Sequence, residues 1–202
     1  MKILVLDHDG VICLSNNWGG RSKKWAKYRS ANPDSSREKK DAPVFVRFDD
    51  FDKKAIKILN EIIEETGCEI VVSSDWRLHA NLEELGDYYI SQGIIKRPIA
   101  MTDIFNEIFP KEWNAFRFRA DLELERSMEI GHWLKNHPEV THWVAIDDLN
   151  MSLEFLSKYF SDNQDKNYGL TNFVLTPKSS EGIKQSGIKE KVINFLKDEK
   201  PV

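Results

Sequence analysis

Three short apolar runs in this chain stop abruptly at polar side chains, and that pattern limits its fold more than any other feature. The first, Ile-Leu-Val-Leu after Lys2, ends at Asp7-His8-Asp9-Gly10. The second, residues 68–72, runs into Ser73-Ser74-Asp75-Trp76-Arg77, and the third, residues 143–146, into Asp147-Asp148. Apolar runs of this kind, interrupted only by Glu69 near the start of the second, predict strands buried on both faces, the habit of parallel sheets. Between them the apolar spacing is helical: Ala55, Ile56, Leu59, Ile62 and Ile63 before Gly67, then Leu82, Leu85, Tyr89 and Ile90 before Gly93. Leu124, Met128, Trp133 and Leu134 continue the pattern up to Pro138. Strands alternating with helices predict an α/β domain whose mostly parallel sheet is covered on both faces.

Further elements follow from weaker signals. Residues 99–101 and 172–175 are expected to be short strands, and residues 152–160 and 188–196 helices. Residues 14–43 turn polar, basic and rich in Asn, Gly, Pro and Ser, which marks an insertion and not core. Residues 44–48 alternate as a short strand would, so the insertion extends over about 14–48. Asp49-Asp50 then offers capping side chains to the next helix. The aromatic-rich stretch 102–119 reads as a lid or a packed loop.

A chain of 202 residues suits one domain with a sizeable core. Its net charge of −4 means that any affinity for nucleic acid must come from a local basic patch. Cys13 and Cys68 lack metal-ligand spacing and read as reduced core thiols. No run has the length of a membrane span or a signal h-region, so the expected location is cytoplasmic, with no membrane partner.

Parallel strands deliver their carboxyl ends to one edge of the sheet, which gathers Asp7, Asp9, Ser73, Asp147 and Asp148 in one crevice. Carboxylates so close repel one another unless a cation or proton lies between them. Hard oxygen donors without His or Cys suit Mg²⁺.

Asp7-His8-Asp9-Gly10-Val11 resembles motif I of the haloacid dehalogenase (HAD) superfamily. Ser73 after Ile-Val-Val resembles its motif II, and Ala-Ile-Asp147-Asp148 its acidic motif IV; together they span roughly residues 1–176. The third motif, normally a Lys, departs from the pattern: Arg126 holds the corresponding place, and Lys135 lies at the far end of the same helix. Ser73 through Arg77, with Glu129-Ile130, Trp133-Leu134 and the Asp147 strand, is similar to the small-cap branch found in RNA-repair proteins and phage enzymes.

The resemblance implies a Rossmann-like phosphatase with a small cap after its first strand. Asp7 is then the nucleophile, Asp9 the general acid and base, Ser73 a donor to a phosphoryl oxygen and Arg126 the cation beside it. Mg²⁺ is implied on Asp7, the main-chain carbonyl of Asp9 and Asp147, with Asp148 either binding it through water or orienting a ligand. Gly10 lets the backbone turn toward a phosphate, and Ser74 is the alternative donor to Ser73. Arg77 either binds phosphate or pairs with an acid, and His8 either packs behind the site or relays a proton.

In the insertion Arg21, Lys23, Lys24, Lys27, Arg29, Arg37, Lys39 and Lys40 are interleaved with Trp18, Trp25 and Tyr28. That mixture suits either a single-stranded nucleic-acid surface or a solvated helix with an aromatic stripe. The expected substrate is a phosphomonoester, on a small molecule, a nucleotide or a nucleic-acid end. The alternatives are a module that holds phosphate and Mg²⁺ without turnover, or a phosphotransferase to an acceptor other than water.

Overall fold

The computed structural model describes residues 1–34, 41–108, 121–159 and 169–197. Its strands are β1 (Lys2–Leu6), β2 (Glu69–Val72), β3 (Ala100–Met101), β4 (His142–Asp147) and β5 (Phe173–Leu175). They form one sheet in the order β3-β2-β1-β4-β5, every neighbouring pair parallel. From the central β1 the chain first builds outward through β2 and β3, then returns to the other side of β1 for β4 and β5. The reversal falls between β1 and β4, and in sheets of this type the crevice beyond the strand ends at that point binds ligands.

The helices are α1 (Gly20–Ala31), α2 (Val44–Arg47), α3 (Lys53–Thr66), α4 (Leu82–Gln92), α5 (Phe105–Ile108), α6 (Asp121–Lys135), α7 (Leu153–Tyr159) and α8 (Ile188–Lys197). Strand parity divides the core in two. Leu4, Leu6, Ile70, Val72, Val144 and Ile146 face one way, against Leu59 and Ile62 of α3, Tyr88 and Tyr89 of α4 and Val192 of α8. Ile3, Val5, Val71 and Ala145 face the other way, against Ile130 and Trp133 of α6. Both faces are therefore covered, and the Rossmann-like α/β class expected from the apolar runs is the observed one.

Two local expectations change. Residues 44–47 form the helical turn α2 and not a strand; alternation over so few residues fits either, and Pro43 precedes the turn. The cap of α3 is Asp52, whose side chain accepts from the amides of Lys54 and Ala55, while Gly67 at φ 69° closes the helix. Asp49 instead accepts from the amides of Gly19 and Arg21 at the start of α1, at 3.2 and 2.5 Å. Cys13 and Cys68 are buried and unpaired. Among the described residues no helix is long and apolar enough to cross a membrane. Arg37, Lys39, Lys40, Phe160 and most of the aromatic-rich stretch lie outside the described residues.

Candidate active site

The site lies at the carboxyl edge where β1, β2 and β4 meet. Leu6 is in register with Val72 and with Ile146, so Asp7, Ser73 and Asp147 follow side by side. The Asp7 amide donates to Ile146 O at 3.1 Å and the Ser73 amide to Leu6 O at 3.0 Å, extending the ladder to the candidate positions. By parity these three share the face of Val5, Val71 and Ala145, the face covered by α6.

That helix supplies the cation. Because α6 leads into the start of β4, its own first turns lie over the opposite, carboxyl edge of the sheet. Arg126, Ile130 and Trp133 recur at i, i+4 and i+7, so the stripe that packs on the sheet carries Arg126 over the acids. Its Nη1 donates to Asp7 Oδ1 at 2.9 Å, Ser73 O at 3.0 Å and Asp147 Oδ2 at 3.2 Å. Its Nη2 donates to Asp75 Oδ1 at 2.6 Å. Burial disfavours the guanidinium charge, yet Asp7, Asp147 and Asp75 outweigh it and hold Arg126 protonated. Lys135, the last residue of α6, is exposed at the far end of the helix from this cluster.

Carboxylate oxygens of Asp7, Asp147 and Asp148 lie within 4.8 Å of one another. Burial, followed by repulsion from Asp147, pushes Asp7 well above the usual carboxylate range, with Arg126 opposing. Burial likewise lifts Asp147 to about 6, and it raises Asp148 against the hydrogen bond from Ser179. Three oxygen donors strained toward protonation, with no His or Cys among them, fit a hard divalent cation such as Mg²⁺. The carboxylate of Asp9 stands outside this group: its Oδ2 accepts from Trp76 Nε1 at 2.9 Å.

Gly10 sits where only glycine fits. Its φ is 72°, and a Cβ there would lie 2.1 Å from Asp148 Oδ2. Its amide donates to Cys13 O, so Gly10 shapes the loop and does not offer that amide to a phosphate.

The remaining sequence candidates separate clearly. The Ser73 hydroxyl is buried on the α6 face and makes no hydrogen bond. Ser74 points to the opposite face and its Oγ accepts from the Trp76 amide, a turn-capping contact. Arg77 forms a buried ion pair with Glu129 of α6, whose other oxygen accepts from the Phe105 amide at 2.7 Å. Of the two readings for Arg77, the acid partner is the one present. His8 is fully buried among Phe51, Trp76 and Tyr89, with Nε2 2.5 Å from the Tyr89 hydroxyl. Burial, helped by Arg126, lowers it to about 3, so it packs behind the site as a neutral ring.

Four contributors had no assigned role in the sequence: Trp76, Asp75, Thr176 and Ser179. Trp76 stacks on Phe48 at 4.2 Å and Phe51 at 5.2 Å while holding Asp9. Thr176 Oγ1 donates to Gly10 O at 3.2 Å, and Ser179 Oγ to Asp148 Oδ2 at 3.1 Å. Trp76 and Asp75 follow Ser73 so closely that their place beside the strand end was a signal; Thr176 and Ser179 follow the weak β5 and had none.

A five-stranded parallel α/β domain with three acids and an arginine at its switch point defines the class of protein. Residues 3–185 match the family described as the HAD domain in Swiss Army Knife RNA repair proteins, and the chain belongs to that family. No curated protein and no solved structure matches it.

Proposed function

We propose that this protein is a Mg²⁺-dependent phosphatase that hydrolyses a phosphomonoester through an aspartyl-phosphate on Asp7, with a nucleic-acid or nucleotide end as substrate. The observation that carries this reading is the position of Asp7, buried between Arg126 and two further carboxylates at the switch point of the sheet. The family's association with RNA repair supports the substrate class.

Asp7, Asp147 and Asp148 would hold the cation, with the Asp9 carbonyl. Bound there, Mg²⁺ offsets the repulsion between the attacking carboxylate and the phosphoryl oxygens. Arg126 engages Asp7 through Oδ1 and leaves Oδ2 to attack phosphorus. As the Asp7–phosphorus bond forms, the bond to the leaving oxygen breaks and that oxygen takes the proton of Asp9. The ionised Asp9 then draws a proton from water, whose oxygen attacks phosphorus and releases Asp7 with inorganic phosphate. The free Ser73 hydroxyl supplies a hydrogen bond to an equatorial oxygen, and Arg126 balances the charge that develops there. The segment between β1 and α3 acts as a small cap, because one end meets the catalytic loop, Trp18 at Cys13, and the other meets the turn after β2, Phe48 at the Trp76 that holds Asp9.

The test is phosphate release from a panel of 5′- and 3′-phosphorylated oligonucleotides, mononucleotides and sugar phosphates. Turnover in Mg²⁺ that Asp7→Asn reduces by at least about 10³-fold is the expected result. Full activity in Asp7→Asn excludes the nucleophile assignment, and phosphate binding without turnover across the panel replaces it with a binding module.

A further inference from the structure

The segment after the catalytic loop contains a helix that is hard to explain by folding alone. α1 buries none of its residues and carries five basic side chains and no acid, in a chain whose net charge is −4. Trp25 and Tyr28 are half-buried and stack with ring centroids 6.1 Å apart, but a helix with so little apolar surface gains little from packing, and like charges one turn apart weaken it further. Lys23 and Lys27 are such a pair, both exposed and without an ion-pair partner among the described residues. Lys24 and the start of α1 are by contrast tied down, through Phe48 O, Asp50 and Asp49. The helix is thus anchored along one side, with Arg21 also paired to Asp49, while Lys23, Lys27 and Arg29 are exposed.

Trp18, just before α1, is 48% exposed, whereas Trp76 and Trp133 are buried. It is nonetheless fixed: its Nε1 donates to Cys13 O at 3.1 Å, the same carbonyl that accepts from the Gly10 amide at 3.0 Å. An exposed indole is therefore fastened to the loop that carries Asp7 and Asp9, just ahead of a helix whose Arg21 and Lys24 pair with Asp49 and Asp50 and whose Lys23, Lys27 and Arg29 have no carboxylate partner among the described residues. Stacking faces and backbone-tracking charges in that order are what a single strand of nucleic acid needs.

We propose that Trp18 and α1 form the track for a single-stranded polynucleotide whose terminal phosphate enters the site. A base near the terminus stacks on Trp18, and Lys23 and Lys27 contact phosphates farther along the strand. This deepens the phosphatase reading and rests on it for the orientation of the strand, though strand binding itself does not require turnover.

The experiment measures the fluorescence anisotropy of labelled decamers, RNA and DNA of one sequence, with and without a terminal phosphate, on Asp7→Asn protein. Adding Trp18→Ala weakens binding about 10-fold. Adding Lys23→Gln with Lys27→Gln lowers the slope of log affinity against log salt by about 1.4, about 0.7 for each lost phosphate contact. In the Asp7-intact protein Lys23→Gln with Lys27→Gln raises KM for the phosphorylated decamer and leaves hydrolysis of a small aryl phosphate unchanged. Unchanged affinity and salt slope in folded variants, checked by thermal melting, overturn the proposal. Strand binding that depends on Trp18 in a protein without phosphatase activity upholds the track and refutes only the reaction. Stronger binding of RNA or of DNA identifies the strand.

Discussion

At the scale of single residues, the site depends on how each carboxylate is held. Asp7 and Asp147 share the Nη1 of Arg126, whereas Asp9 takes the indole N–H of Trp76. A fixed indole restricts the carboxylate to one rotamer, and orientation is what a general acid needs when the leaving group is poor. Trp76→Phe keeps the stacking partner for Phe48 and Phe51 but removes the donor. It is predicted to lower kcat/KM for alkyl phosphates about 10-fold and to change it little for aryl phosphates, whose leaving groups need no proton. An equal loss on both substrates, measured by steady-state phosphate release, would assign Trp76 to packing alone.

At the scale of elements, β1, β2 and β4 and their polar ends were legible because a nearly unbroken apolar run has few folds open to it. Arg126 was legible only through its resemblance to the motif III position; the fold supplies the reason, since a helix leading into β4 begins over the strand ends and brings its first cation near the acids. Residues 44–47 were misread because four residues do not fix a period, and Val46 and Phe48 are buried equally well from a helical turn. The cap expected of Asp49-Asp50 falls to Asp52, and Asp49 serves α1 instead, because α1 folds back onto the chain entering α3, a contact that local sequence does not encode. The link from Trp76 to Asp9 spans 67 positions and became visible only once β2 lay beside β1. Ser73 and Ser74 were indistinguishable as letters, and strand parity separated them.

At the scale of the whole molecule, the acidic centre lowers stability when no cation fills it, as functional sites often do. Burial lifts Asp147 from 3.8 to about 6, so between those values the folded state binds more protons than the unfolded one. Its contribution is therefore favourable at low pH and is lost as pH rises from about 4 to about 6, and Asp7 shifts in the same direction. In chelator at pH 7.5, Asp147→Asn is predicted to stabilise the protein by about 1–3 kcal/mol in thermal or urea unfolding, a gain that vanishes near pH 4. Mg²⁺ should raise the melting temperature of the wild type and close the gap, since binding favours the folded state. A variant that melts below the wild type in chelator would show that Arg126 already compensates the acids fully. The central claim remains the covalent step on Asp7, and it is tested most directly by rapid acid quench of the protein turning over a ³²P-labelled phosphomonoester in Mg²⁺. Label trapped on the peptide from β1, and located at Asp7 by borohydride reduction of the acyl phosphate, is the predicted result. Rapid phosphate release with no trapped label, or label on Asp9 or Ser73, would contradict it.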